Sequence, residues 1–108
     1  MTRNILFASL FLALPTLAVA ETTITALQPN TQVTISGTVD RITDEDTFVL
    51  RDASGEIEIY LGPNLVPVAV GSTVTVNGLV DDGPVPEIYA RSLVTAEGET
   101  ITFEYNYD

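Results

Sequence analysis

The sequence predicts an all-β domain: a small closed barrel of five strands with an extra strand at its C-terminal end. Three observations carry that expectation. Apolar and polar residues alternate with period two in several short runs, the pattern of a strand with one buried face. Thr and Val are abundant after residue 20, and β-branched side chains suit a pleated sheet better than a helix. Polar clusters rich in Asp, Ser and Gly separate the runs and read as turns.

The first twenty residues are set apart from the fold. Arg3 supplies a positive start, Ile5 to Leu14 an apolar run broken only by Ser9, Pro15 a break, and Ala18-Val19-Ala20 a small-x-small cleavage site. The run is shorter than the roughly 20 apolar residues a membrane span requires. Residues 1–20 are therefore expected to be a cleaved signal peptide, placing the protein in the periplasm with no membrane span in the mature chain. Residues 21–108 are expected to form one domain, with its core in 31–94.

Within that domain, Val33, Ile35, Gly37 and Val39 alternate with Thr34, Ser36, Thr38 and Asp40 to give the first strand. Asp44-Glu45-Asp46 reads as a polar turn. The second strand, Thr47 to Arg51, puts Phe48 and Leu50 on one face and Thr47, Val49 and Arg51 on the other. Asp52-Ala53-Ser54-Gly55 then reads as a hairpin connection in which Gly55 takes a positive φ. The return strand carries Ile57, Ile59 and Leu61 inward and Glu56, Glu58 and Tyr60 outward. Pro63 and Pro67 exclude more than one helical turn from the link Gly62 to Gly71, which is expected to plug one end of the core with Leu65, Val66 and Val68. Val74, Val76, Gly78 and Val80 mark the fourth strand, Asp81 to Pro84 a turn, and Glu87 to Val94 the fifth.

The sixth run, over residues 99–108, alternates Ile101, Phe103, Tyr105 and Tyr107 with polar residues. It is expected either to pack its aromatics on the main sheet or to offer an edge to a partner strand. Five strands with a long link between the third and fourth suggest a Greek-key OB-fold barrel. Gly37 and Gly78, inside the long first and fourth strands, would permit the coiling and close backbone approach of so small a barrel.

Several pieces then resemble a known family. They are Val33-x-Ile35-x-Gly37-x-Val39, Asp46-x-Phe48-x-Leu50-x-Asp52-x-Ser54-Gly55-x-Ile57-x-Ile59, Val74-x-Val76-x-Gly78-x-Val80-Asp81 and Glu87-Ile88-x-Ala90. In this order, from Thr22 to Val94, the chain resembles the bacterial OB-fold family of YgiW/YdeI-type periplasmic stress-tolerance proteins. The resemblance implies a small exported barrel that works by binding, with no catalytic residues to carry over. The chain departs from the family pattern in its link, which has two prolines and no tryptophan, and in the tail 97–108.

Composition narrows the chemistry. The chain has no Cys, His or Trp, which removes thiol nucleophiles, Ser-His-Asp triads, tetrahedral zinc sites and haem ligation. Four Lys+Arg against 15 Asp+Glu argue against nucleic acid as a partner. After Arg3, the cations are Arg41, Arg51 and Arg91 alone. A hydrolase would need two carboxyls at a set spacing, one in an apolar pocket, and no such pocket is legible, so the expected protein is not an enzyme.

Two sets of residues are candidates for binding. Asp40, Asp44, Asp46, Asp81 and Asp82 could offer oxygen ligands to a weakly held divalent cation, although neither acidic run fits an EF-hand loop. The barrel face that OB-folds usually employ would present Arg51, Glu58, Tyr60, Tyr89 and Arg91. The expected protein is thus a monomeric binding module in envelope stress tolerance, without a cofactor, for a small cationic ligand or metal ion. A protein partner docked on the barrel face or the C-terminal edge is the alternative.

Overall fold

The computed structural model describes residues 22–106. The signal peptide expected over Met1–Ala20 lies outside them, as does Tyr107. Six strands form the sheet: β1 (Gln32–Asp44), β2 (Thr47–Arg51), β3 (Glu56–Tyr60), β4 (Thr73–Val80), β5 (Glu87–Thr95) and β6 (Thr100–Thr102). Their order is β3-β2-β1-β4-β5-β6, and β3 also pairs with β5 in parallel, which closes β1 to β5 into a ring and leaves β6 outside it. This is the expected five-stranded OB-fold barrel with one strand added. The only helical element among the described residues is a 3-10 turn at Ile24–Ala26, and no helix is long and apolar enough to cross a membrane.

The barrel closes because β1 serves two neighbours. Its first half, Gln32 to Thr38, pairs with β4, and its second half, Thr38 to Asp44, pairs with β2. Bulges at Asp40 and Thr43 bend the strand between them. Gly37 sits at the crossing, where a Cβ would land on the carbonyl oxygen of Arg51. Gly78 plays the same part on β4, against the carbonyl oxygen of Tyr89. The close backbone approaches expected at both glycines are therefore present.

Ile35, Val39, Phe48, Leu50, Ile59, Leu61, Val74, Val76, Val80, Ile88, Ala90 and Leu93 fill the interior. Phe103 joins them from the tail, and Ile24 from the 3-10 turn. That turn is tied to the β2–β3 hairpin, where an Asp52 carboxylate oxygen accepts the Ile24 N–H at 3.0 Å.

Several expectations are corrected. β1 continues through Asp44, because its two bulges let it stay on β2, so only Glu45 and Asp46 turn. Gly55 does not take a positive φ. The hairpin is held instead by Asp52, whose other oxygen accepts the Ser54 N–H (2.7 Å), the Ser54 hydroxyl (2.6 Å) and the Gly55 N–H (3.1 Å). Such a side-chain-centred turn needs no left-handed residue. Leu65 is exposed, and Val66 and Val68 alone of the three pack on the core. Val49, placed outward by alternation, is nonetheless buried beside Arg41, Glu58 and Val85 on the barrel exterior. The last strand stops at Thr102 rather than running through the tail.

Beyond Thr102 the tail is anchored by side chains. Phe103 N–H donates to the Arg91 carbonyl at 2.8 Å, and the Asn64 amide bridges the carbonyls of Leu61 (2.8 Å) and Glu104 (2.9 Å). The Tyr105 ring lies on Gly62, where a Cβ would come within 2.6 Å of it. Of the two roles expected for the tail aromatics, Phe103 and Tyr105 take packing.

Candidate functional site

The parallel closure of β3 on β5 sets Glu58 opposite Glu87 and Tyr60 opposite Tyr89. Alternation turns these four side chains outward while Ile59 and Ile88 between them point into the core. The rings of Tyr60 and Tyr89 meet edge to face at 5.8 Å between centroids, and Tyr105 adds a third ring 6.3 Å from Tyr60. Four of the five face residues expected from sequence, Glu58, Tyr60, Tyr89 and Arg91, are therefore neighbours on β3 and β5.

Arg91 stands at a bulge. On β5, Ser92 pairs with Asn77 and Ala90 with Gly78, so Arg91 has no partner on β4. Arg91 keeps the outward parity of Tyr89, and the extra residue returns Leu93 to the core. Arg91 and Tyr89, with Leu79 on β4 and Phe103, Glu104 and Tyr105 on the tail, line a groove of about 460 Å³. That volume falls in the range of small-molecule sites. Sequence reasoning missed Leu79, Phe103, Glu104 and Tyr105 as site residues. The aromatic alternation of the tail was the one signal, and it could not say that the tail folds back beside Arg91.

Charge is distributed unevenly around this groove. Arg51 Nε donates to Asp40 at 3.0 Å, and Arg41 contacts both Asp40 and Glu56. Hydrogen bonds from Arg51 and then Arg41 hold the Asp40 carboxyl below its usual pKa. Arg51 thus belongs to an exposed ion cluster and is not among the groove residues. Arg91, among the described residues, has no carboxylate within ion-pair distance, although Glu104 lines the same groove. On the other side of Tyr89, burial, with Asp81, Glu58 and Asp46 nearby, pushes the Glu87 pKa up. Partial burial, with Asp81, Glu87 and Asp82 close by, raises that of Tyr89.

The candidate cation ligands are not gathered. Asp40 is engaged by two guanidiniums, Asp44 accepts the Glu45 N–H (2.8 Å), Asp46 the Thr47 hydroxyl (2.8 Å) and Asp81 the Glu87 N–H (3.1 Å). Asp82 lies in the β4–β5 turn. Among the described residues, no group of three or more acidic side chains is placed to hold a metal ion.

Neither a protein-family model nor a curated protein matches the sequence. Among solved structures, the hypothetical protein YgiW from E. coli is similar, with a TM-score of 0.60 and 28% sequence identity, over 72% of this chain and 91% of that one.

Proposed function

The chain belongs with the YgiW-type bacterial OB-fold barrels, and on that premise we propose that it is an exported, non-catalytic binding protein serving envelope stress tolerance. Its ligand is a small molecule bearing a positive charge. The groove beside Tyr89 carries this reading: three aromatic rings and an exposed carboxylate surround a concave space of ligand size. Ring faces and carboxylates both favour a cation, and the excess of carboxylates over arginines draws one in. The absence of Cys and His from the whole chain is consistent with holding a ligand rather than transforming it.

The test begins with the full chain expressed in a bacterium and purified from the periplasmic fraction. An intact mass corresponding to a start at Glu21 supports export, whereas a full-length product confined to the cytoplasm overturns it. Thermal unfolding is then followed against phenethylamine and putrescine at physiological ionic strength. A ligand at 100 times its Kd adds about 2.7 kcal/mol, which in a domain of this size is on the order of 10–20 °C. A saturable rise with an amine is the expected result. A flat response to both removes the cation-binding reading.

A further inference from the structure

The groove holds one cation and one carboxylate that do not pair with each other. Arg91 and Glu104 both line it, and neither makes an ion pair with a described residue. In a groove open to water, opposite charges that do not pair with each other can be bridged by a ligand that carries both signs. Leu79, Tyr89, Phe103 and Tyr105 line the same groove and offer apolar and ring surface. The geometry points to a small zwitterion with an apolar or aromatic side group, such as an amino acid or short peptide. Its carboxylate lies on Arg91, its ammonium on Glu104, and its side group against Tyr89 and Leu79. This rests on the binding reading above and adds the anionic half of the ligand to it.

Three observations favour that occupant over a plain cation. Arg91 is the one described arginine without a carboxylate partner, since Arg41 is taken up by Asp40 and Glu56 and Arg51 by Asp40. It stands at a bulge, exposed and without a ladder partner on β4. A guanidinium also suits a carboxylate, because its planar fork donates two parallel hydrogen bonds. A simple amine would leave this donor facing the groove unused. A simple carboxylate would find Glu104 repelling it.

Binding of L-phenylalanyl-L-alanine, phenethylamine and 3-phenylpropionate is measured by thermal shift and by 15N chemical-shift mapping, on the wild type and on Arg91→Gln, Glu104→Gln and Arg51→Gln. The dipeptide is expected to bind at least tenfold more tightly than either single-charge probe, with shifts centred on Tyr89, Arg91 and Glu104. Arg91→Gln should weaken the dipeptide by about tenfold or more, as loss of a charge-assisted pair implies, and leave phenethylamine binding no weaker, since it removes a like charge from the groove. Arg51→Gln should change neither. Near-wild-type unfolding temperatures confirm that the variants fold, and Arg91→Lys, which keeps charge but not the fork, should restore only part of the affinity. If phenethylamine binds as well as the dipeptide and Arg91→Gln alters neither, the zwitterion is wrong while the cation-binding reading stands. If none of the three probes binds, both fall.

Discussion

The hydroxyl of Tyr105 lies 3.0 Å from the carbonyl oxygen of Tyr60 and 2.8 Å from that of Ala90. The two acceptors stand on either side of the β3–β5 seam, at the point where β5 changes partners. Up to Tyr89 this edge of β5 faces β3, and from Arg91 onward it faces the tail and β6. Ala90 falls between the two ladders, and one O–H reaches a carbonyl on each side of the seam. Tyr105→Phe removes the donor and keeps the ring. It should cost about 1 kcal/mol, or about 4–8 °C in unfolding temperature for a domain this small. Truncation after Glu99 also removes Phe103 from the core and should cost several times as much, on the order of 3–5 kcal/mol. Equal unfolding temperatures for Tyr105→Phe and the wild type would deny the hydroxyl its role at the seam.

Gly78 makes a second close contact with the same region. A methyl group there would fall on the Tyr89 carbonyl oxygen, with Ile88 Cγ2 at 2.7 Å and the Ala90 Cα at 3.0 Å. Backbone atoms cannot step aside as a side-chain tip can, so Gly78→Ala should destabilise by about 1–3 kcal/mol. Gly83→Ala is the matched control: its nearest neighbour would be 3.4 Å away, and its stability should stay within about 0.5 kcal/mol of wild type. Urea unfolding of both variants decides the matter, and a Gly78→Ala protein as stable as Gly83→Ala would contradict the close approach.

These two contacts mark how far the sequence is legible. Period-two alternation placed Ile35, Val39, Phe48, Leu50, Ile59 and Val76 in the core, because each is a local choice dictated by the pleat. Glycines inside otherwise β-branched runs pointed to the strand crossings for the same local reason. What alternation could not reveal was non-local. Val49 is buried because Arg41, Glu58 and Val85 cover it from other segments. The Asp52 carboxylate that holds its own turn also receives the Ile24 N–H from 28 residues upstream. Of the candidate site, the Tyr60–Tyr89–Arg91 face followed from strand parity, whereas the groove itself required the tail to fold back beside Arg91.

The pH dependence of stability has two opposed parts. Burial, and then Asp81, Glu58 and Asp46, raise the Glu87 pKa above its ordinary 4.5. A carboxyl raised on folding binds its proton more readily in the native state, so stability rises as pH falls through the folded value towards 4.5. Asp52 behaves in the opposite way. Burial alone would raise it, but hydrogen bonds from the Ser54 hydroxyl and from the N–H groups of Ile24, Ser54 and Gly55 outweigh that and hold it below 3.8. Its contribution is whole above 3.8 and is lost as pH drops through the lower folded value. Asp40, held down by Arg51 and Arg41, acts in the same direction. The unfolding temperature should therefore climb on acidification from pH 7, peak near pH 4–5 between the two windows, and fall below them. General relief of carboxylate repulsion also contributes to the climb, so Glu87→Gln is the deciding variant: it should start higher at pH 7 and climb less, with the same acid fall. Asp52→Asn should be less stable at pH 7 and show a shallower acid fall. A Glu87→Gln profile superimposable on that of the wild type would remove Glu87 as a source of the climb.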